Sequence, residues 1–157
     1  MVGGTGMLAG LVTVLANDGD DVTVLARWGW KGRGLVQSIM VDYRNIELLK
    51  LALDKNGLFD QMVAWIHSDA PEALGVLRQC VMGDVLHVLG STAAESGFSI
   101  HVPAAGEPRE VILGFVRKGG HSRWLTDAEI SVGVLRALRS GESRSVIGTV
   151  TPWSERP

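Results

Sequence analysis

The chain opens with a glycine-rich stretch, Val2-Gly3-Gly4-Thr5-Gly6-Met7-Leu8-Ala9-Gly10. Glycines here permit a tight turn, a close approach of the backbone to a phosphate, and a helix packed closely on a sheet. The spacing of Gly3, Gly6 and Ala9 fits the pattern G-x-x-G-x-x-G/A, and the N–H groups of a helix starting there would face an anion. A plain turn also explains such a cluster, so the elements around it decide its meaning.

The rest of the chain alternates between strands and helices. Nearly continuous apolar runs, typical of strands buried on both faces, occupy residues 21–26, 38–41, 60–66, 84–89 and 110–116, with an edge strand at 146–150. Helical patterns predict helices at 7–17, 45–56, 71–81 and 126–139. This alternation predicts an α/β fold, a doubly wound and mostly parallel sheet with helices on both faces. Only Met1 and Val2 precede the glycine turn, so the first strand is nearly absent and the start of the chain is a candidate truncation.

Composition limits the class of protein. The 157 residues fit one domain (1–157, with a C-terminal tail at 151–157), and 46% hydrophobic against 20% charged residues predicts a packed core. The net charge of −2 offers no general attraction to nucleic acid or anionic lipid. The single cysteine, Cys80, forms no internal disulfide, and no apolar run approaches the roughly 18 residues that span a bilayer. We therefore expect a cytoplasmic protein with neither nucleic-acid nor membrane partners and, since its histidines lack ligand spacing, no metal.

Several segments occupy comparable places at predicted strand ends: the turn at 3–8, the strand 22–27, Val41-Asp42-Tyr43, His67-Ser68 and Gly90-Ser91. Together they resemble the nucleotide-binding core of the short-chain dehydrogenase/reductase family, in its divergent branch. The likeness covers residues 3–139 and implies an NAD(P)-binding Rossmann fold, a small carbonyl or alcohol as substrate, and a homo-oligomer. It also implies that the dinucleotide's diphosphate lies on the residues of the glycine turn: Gly3, Gly4, Thr5, Gly6, Met7 and Leu8.

Charge after the second predicted strand indicates NADP as the cofactor, with NAD as the other option. No acidic residue stands between Val22 and Val41, so no carboxylate is available there for the adenosine ribose hydroxyls of NAD. Arg27 ends the strand instead, and a guanidinium can pair with a 2′-phosphate through two parallel hydrogen bonds. The alternative is that Arg27 and its basic neighbours form a solvated loop, with the nearby tryptophans covering its apolar underside.

The resemblance assigns further contacts to the cofactor. Asp42 matches the acidic residue that hydrogen-bonds the adenine amino group, with Tyr43 beside it, although an aspartate after a strand is also an ordinary turn former. Ile66, His67 and Ser68 match the strand end that lies along the nicotinamide-side ribose. All these positions follow the carboxyl ends of predicted strands, where open parallel sheets bind their ligands.

The catalytic half of the family pattern is incomplete. The family's Tyr-x-x-x-Lys pair is absent, since the only tyrosine is Tyr43 and Glu47 stands four residues later. Ser91 matches the family's serine that holds the substrate carbonyl, although it also suits a cap of the next turn. His67 and His121 are the candidate proton donors, because histidine titrates near neutral pH.

A second informative stretch surrounds His121. Thr126 and Glu129 predict a capping box at the last helix, which places residues 121–123 in a loop above the sheet. Arg123 is then a candidate for binding a substrate carboxylate or a phosphate, or else a structural residue. His87, inside a strand, is predicted to be a hydrogen-bonded core residue. The connection at 91–108, with its prolines and glycines, predicts no long helix.

The sequence leaves three hypotheses open. The first is an NADP-dependent reductase of a small carbonyl compound, with Ser91 near the reacting centre. The second is a non-catalytic module that senses or sequesters NADP, favoured by the missing Tyr-x-x-x-Lys pair. The third follows from the short first strand and is a truncated chain without activity.

Overall fold

A computed structural model describes residues 1–94 and 106–157, and within these ranges strands and helices alternate along the chain. The helices are α1 (Ala9–Asp18), α2 (Ile46–Asp54), α3 (Pro71–Arg78) and α4 (Asp127–Ser140). The strands are β1 (Val22–Ala26), β2 (Val36–Met40), β3 (Met62–Trp65), β4 (Val85–Leu89), β5 (Arg109–Leu113), β6 (Phe115–Lys118), β7 (His121–Trp124) and β8 (Arg144–Ile147). Residues 95–105, part of the predicted connection at 91–108, lie outside the described residues.

The prediction of an α/β protein with a mostly parallel sheet is confirmed. Strands β3, β4, β5 and β8 form a parallel sheet in that order, and β1 and β2 form a parallel pair. Val2 lies between these two groups and forms parallel bridges to Leu25 of β1 and Ala64 of β3. The sheet therefore runs β2, β1, Val2, β3, β4, β5, β8.

Alternating side chains of the strands pack against helices on opposite faces of this sheet. Val63 belongs to one apolar cluster with Leu11 of α1 and Val134 of α4. Its neighbours Met62 and Ala64 belong to another cluster, with residues of α2 and α3. Since neighbouring side chains of a strand point to opposite faces, the helices cover the sheet from both sides.

The predicted strand at 110–116 is wrong as a single element. It divides at Gly114 into β5 and β6, and glycine is needed at the division because a Cβ there would clash with the carbonyl oxygen of Thr149. Strand β6 then turns through Gly119 and Gly120 and pairs antiparallel with β7. Both glycines have positive φ, 58° and 80°, as a two-residue hairpin turn requires. The predicted loop at 121–123 is therefore a strand of a hairpin.

The C-terminal tail lies against this hairpin. Residues Trp153–Glu155 form a short 3-10 turn. Glu155 pairs with Arg117 of β6, and the Arg156 guanidinium lies 4.4 Å from the ring centre of Trp153 and 5.9 Å from that of Trp124. Over the described ranges, the helices are too short or too polar to span a membrane.

Candidate functional site

The glycine turn lies at the carboxyl edge of the sheet and leads directly into α1. Its first residues are fixed by the sheet, because Gly3 N–H donates to Leu25 O at 3.1 Å and Trp65 N–H donates to Val2 O at 3.1 Å. Helix α1 begins at Ala9 with Leu8 as its N-cap, and no side chain caps its first turn. Within the turn, Ala9 N–H donates to Gly6 O at 2.9 Å, and no described side chain accepts from the N–H groups that follow.

The glycines of this stretch have different physical roles. Gly3 has φ +73°, and a Cβ there would lie 3.1 Å from Trp65 O. A Cβ at Gly4 would lie 3.0 Å from Val12 Cγ2, and one at Gly10 would lie 2.8 Å from Ser131 Oγ. At Gly6 no atom lies within 4 Å. Gly3 thus makes the turn, Gly4 and Gly10 allow close packing of α1, and Gly6 leaves its surface open to a ligand.

The loop after β1 presents basic side chains to solvent. Arg27 directly follows β1 and is exposed, and it forms no ion pair with any residue of the described ranges. Trp28 is 73% exposed. Trp30 instead packs against the apolar cluster of Val22 and Val24 and donates from Nε1 to Arg33 O at 3.3 Å. The covering role predicted for the tryptophans therefore fits Trp30, while Trp28 is free to contact a ligand.

Asp42 and Tyr43 are both engaged in local structure. Asp42 Oδ1 accepts the Arg44 backbone N–H at 3.0 Å, as in an ordinary Asx turn. Tyr43 is buried in the core, and its hydroxyl accepts the His67 backbone N–H at 3.3 Å. Tyr43 thus ties the end of β2 to the end of β3, and its ring lies in the apolar cluster that faces α2 and α3.

A small pocket lies at the ends of β3, β4 and β5. Its volume is about 190 Å³, and it is lined by Trp65, Gly90, Ser91, Leu113, Gly114, Trp124, Leu125 and Ile130. Ser91 is buried and begins a 3-10 turn after β4, so its hydroxyl is a polar group in a mainly apolar wall. Ile66 is buried, whereas His67 and Ser68 are exposed. The His67 ring lies edge-on to Trp65, with 5.5 Å between ring centres, so His67 contacts one residue of the pocket wall but does not itself line the pocket.

The structure does not bring His121 to Ser91. His121 is exposed at the turn of the hairpin, paired with Lys118, whereas Trp124 at the base of β7 lines the pocket. Three residues of strand separate the two, a distance of about 10 Å. The reason is that His121 lies next to the Gly119-Gly120 turn, at the end of the β6–β7 hairpin remote from the pocket.

Arg123 is held by a carboxylate of its own chain. Its guanidinium donates to both carboxylate oxygens of Glu129, at 2.8 and 2.9 Å. Glu129 also accepts from Thr126 in the predicted capping box, which is confirmed. The Arg123 hydrogen bond, followed by those of Thr126, lowers the pKa of Glu129 to about 2. Of the two roles left open for Arg123, the structural one fits these contacts.

His87 differs from its prediction as a hydrogen-bonded residue. It lies on β4, and its Nε2 is buried without a hydrogen-bond partner among the described residues. Burial lowers the pKa of His87, so the ring is neutral at pH 7. Over the described ranges, no group of three His, Cys, Asp or Glu side chains converges to hold a metal ion.

Sequence reasoning missed the two tryptophans of the pocket. Trp65 is the last residue of β3 and Trp124 is the last residue of β7. The polar residues near them in the chain were considered instead. An aromatic side chain at a strand's carboxyl end was the available signal. Comparison with family models and with curated proteins finds no match for this chain.

Proposed function

We propose that this protein binds NADP across the carboxyl edge of its sheet and acts as a reductase of small carbonyl compounds, as its resemblance to short-chain dehydrogenases implies. The observation that carries the proposal is the uncapped first turn of α1 behind the open surface of Gly6. Backbone N–H groups at a helix start suit a diphosphate. The sheet order, with helices on both faces, is also the one expected of a Rossmann fold.

The residues of this edge fit the remainder of the cofactor. Arg27 follows the strand next to the glycine turn, is exposed, and has no competing carboxylate among the described residues. It would hold the 2′-phosphate that distinguishes NADP from NAD, while Trp28 is available to stack on the adenine. Asp42 keeps its second carboxylate oxygen for the adenine amino group, and Ser68 and His67 lie at the next strand end along the edge.

The reduction would take place beside Ser91. Bound NADPH would supply a hydride to the substrate's carbonyl carbon. The Ser91 hydroxyl would donate a hydrogen bond to the carbonyl oxygen, and His67, beside the same pocket, would deliver the proton. The apolar walls made by Trp65 and Trp124 would limit water around the reacting atoms. At about 190 Å³, the pocket favours a substrate smaller than most drug-sized ligands, whose sites exceed roughly 300 Å³.

A fluorescence titration with NADPH and NADH tests the binding step. We expect NADPH to bind more tightly, and Arg27→Asp to abolish the preference, a loss of about 1–3 kcal/mol for charge-assisted hydrogen bonds. Arg136→Asp, an equal charge change at an exposed position of α4, is the matched control and retains the preference. Equal effects of the two substitutions would reject Arg27 as the phosphate contact.

Turnover of NADPH with a panel of small aldehydes and ketones tests the chemistry. We expect Ser91→Ala to lower kcat while NADPH binding persists, and His67→Gln to lower kcat. His121→Gln is the matched control, because the hairpin holds this ring away from the pocket. Tight NADPH binding without turnover across the panel would favour the second candidate, a sensor of NADP, which the engagement of Arg123 by Glu129 also favours.

A further inference from the structure

The pocket at the carboxyl ends of β3, β4 and β5, which we call the strand-end pocket, has mostly apolar walls. The indole rings of Trp65 and Trp124 and the aliphatic side chains of Leu113, Leu125 and Ile130 line it. Leu113 and Ile130 are buried in the apolar cluster that includes residues of α1 and α4. Because contact with water is unfavourable for such walls, they favour an apolar ligand.

Ser91 provides the only hydroxyl among the described residues that line the strand-end pocket. The residue is 9% exposed, and its hydroxyl has no hydrogen-bond partner within the described part of the chain. A hydroxyl carries one donor, and a buried donor without an acceptor is unfavourable. A ligand with one carbonyl oxygen would supply the acceptor.

Charged side chains are absent from the described lining of the strand-end pocket, and two arginines close to Trp124 have other contacts. Arg123 donates to both carboxylate oxygens of Glu129, at 2.8 and 2.9 Å. The Arg156 guanidinium lies 4.4 Å from the ring centre of Trp153 and 5.9 Å from that of Trp124. A carboxylate in the pocket would lose its water shell without gaining a cation, which is costly. The pocket therefore disfavours anionic carbonyl compounds such as 2-oxo acids.

The size of the pocket and its aromatic surface limit the ligand further. An apolar cavity of about 150 Å³ holds one benzene molecule, and the strand-end pocket has a volume of about 190 Å³. The Trp65 indole extends along one side of it, because a Cβ at Gly3 would lie 3.4 Å from Cδ1 of this ring and a Cβ at Gly90 would lie 3.6 Å from Cη2. A single six-membered ring therefore fits the pocket and can pack on an aromatic wall.

We propose that the strand-end pocket binds a small, uncharged, apolar ketone or aldehyde, about the size of one six-membered ring, with its carbonyl oxygen on the Ser91 hydroxyl. Its hydrocarbon part contacts Trp65 and Trp124, and 2-oxo acids are excluded. As the substrate class of a reductase, this inference rests on the proposed function. The binding step can be measured without NADPH, since no residue of the glycine turn lines the pocket.

The probes are cyclohexanone, 3-methylbutan-2-one and pyruvate, each titrated into the full chain with and without NADPH. Pyruvate has the heavy-atom skeleton of 3-methylbutan-2-one, with a carboxylate in place of the isopropyl group, so the two differ mainly in charge. Binding is followed by NMR through the indole N–H signals of Trp65 and Trp124, assigned with Trp65→Phe and Trp124→Phe. The signal of Trp28, which is exposed in the loop after β1, is the internal control for non-specific contact.

We expect both ketones to shift the Trp65 and Trp124 signals saturably at millimolar concentrations, while the Trp28 signal stays unchanged. Pyruvate should bind at least tenfold more weakly than 3-methylbutan-2-one. Ser91→Ala should weaken ketone binding several-fold, whereas Ser122→Ala, on β7 and outside the pocket lining, should not. Pyruvate binding as tight as that of the ketones, or no shift from either ketone in both conditions, would overturn the proposal.

Variants that fill the pocket locate the binding site. A Cβ at Gly90 would lie at ordinary contact distance from Trp65, so Gly90→Val adds a side chain to the pocket lining without a backbone clash. We expect this variant to melt within a few degrees of the parent and to lose ketone binding. Leu125→Phe enlarges another lining residue and replaces it as the test if Gly90→Val does not fold. Ketone binding that persists in a folded variant of this kind would overturn the assignment.

Turnover separates this inference from the proposed function. The reaction converts the ketone, NADPH and a proton into the secondary alcohol and NADP⁺, and kcat/KM for 3-methylbutan-2-one should exceed that for pyruvate at least tenfold. Faster turnover of pyruvate would overturn this inference and leave the reductase in place. Saturable ketone binding without oxidation of NADPH would reject the reductase and retain the pocket as a binding site for uncharged carbonyl compounds.

Discussion

At the scale of single residues, Gly3 has a role in folding, whereas Gly6 has a proposed role in binding. Gly3→Ala would force an L side chain to φ +73° and place its Cβ 3.1 Å from Trp65 O. We expect a loss of about 1–3 kcal/mol in the free energy of unfolding, measured by urea denaturation. Gly6→Ala meets no atom within 4 Å, so stability should stay within about 0.5 kcal/mol while NADPH affinity falls. Equal losses of stability would contradict this division.

The sequence predicts where the glycine turn lies but not the structural role of each glycine in it. Gly3 and Gly6 follow from the local motif. Gly10 does not follow from the motif. A side chain there is excluded by Ser131 of α4, a residue far along the chain. Tyr43 is a similar case. Its buried hydroxyl bond to the His67 backbone depends on how the ends of β2 and β3 meet, which no local pattern contains.

At the scale of elements, the start of α4 should respond to acid. The pKa of Glu129 is about 2 in the folded protein, against 4.5 ordinarily, chiefly because Arg123 donates to its carboxylate. A lowered folded-state pKa stabilises the protein above pH 4.5, and this contribution is lost as pH falls from 4.5 to about 2. We expect Glu129→Gln to be less stable than the parent at pH 7, with the difference shrinking over that range in urea denaturation.

Glu72→Gln is a suitable control for the acid experiment, since this exposed residue in the first turn of α3 forms no ion pair with the described residues. Arg123→Gln should reproduce the loss seen in Glu129→Gln, because it removes the main cause of the shift. A Glu129→Gln difference that stays constant down to pH 2 would mean that the carboxylate is not held as described.

Some strands could be predicted from the pattern of apolar residues, and others could not. Parallel strands buried on both faces stand out as apolar runs, so β1, β3 and β4 match the predicted runs closely. The hairpin of β6 and β7 is apolar at its base, at Phe115 and Trp124, and its outer residues Arg117, Lys118 and Arg123 show no apolar alternation. The Gly119-Gly120 pair was its one local signal. Because this pair was not interpreted as a hairpin turn, His121 was predicted to lie in a loop above the sheet and was included among the catalytic candidates.

At the scale of the whole molecule, the sequence predicts the layers of the fold better than the closure of its sheet. Strand and helix alternation implies a parallel sheet covered on both faces, and the two apolar clusters agree with this. The single-residue contribution of Val2 was also visible, since two residues precede the turn. What the sequence could not supply is the spacing of β1 and β3, because it depends on the parallel bridges that Val2 forms to Leu25 and Ala64.

Met1 makes the stability of the entire sheet sensitive to pH. Burial lowers the pKa of its amino group from 8.0 to about 6, so the folded state binds this proton less readily than the unfolded state. Folding is therefore disfavoured as pH falls through this range, by about 2 kcal/mol between pH 8 and pH 6 and by about 3 kcal/mol in full well below pH 6. An Nα-acetylated protein should lose this dependence while its N–H still donates to Thr23 O.

We expect the free and acetylated proteins to converge in stability above pH 8 and to separate toward pH 6, with the acetylated form more stable, when unfolding in urea is followed by tryptophan fluorescence. Both forms contain the same histidines and carboxylates, so the difference between the two isolates the Met1 amine. Parallel pH profiles would place that amine in water. The connection between β1 and β3 would then depend only on the parallel bridges of Val2.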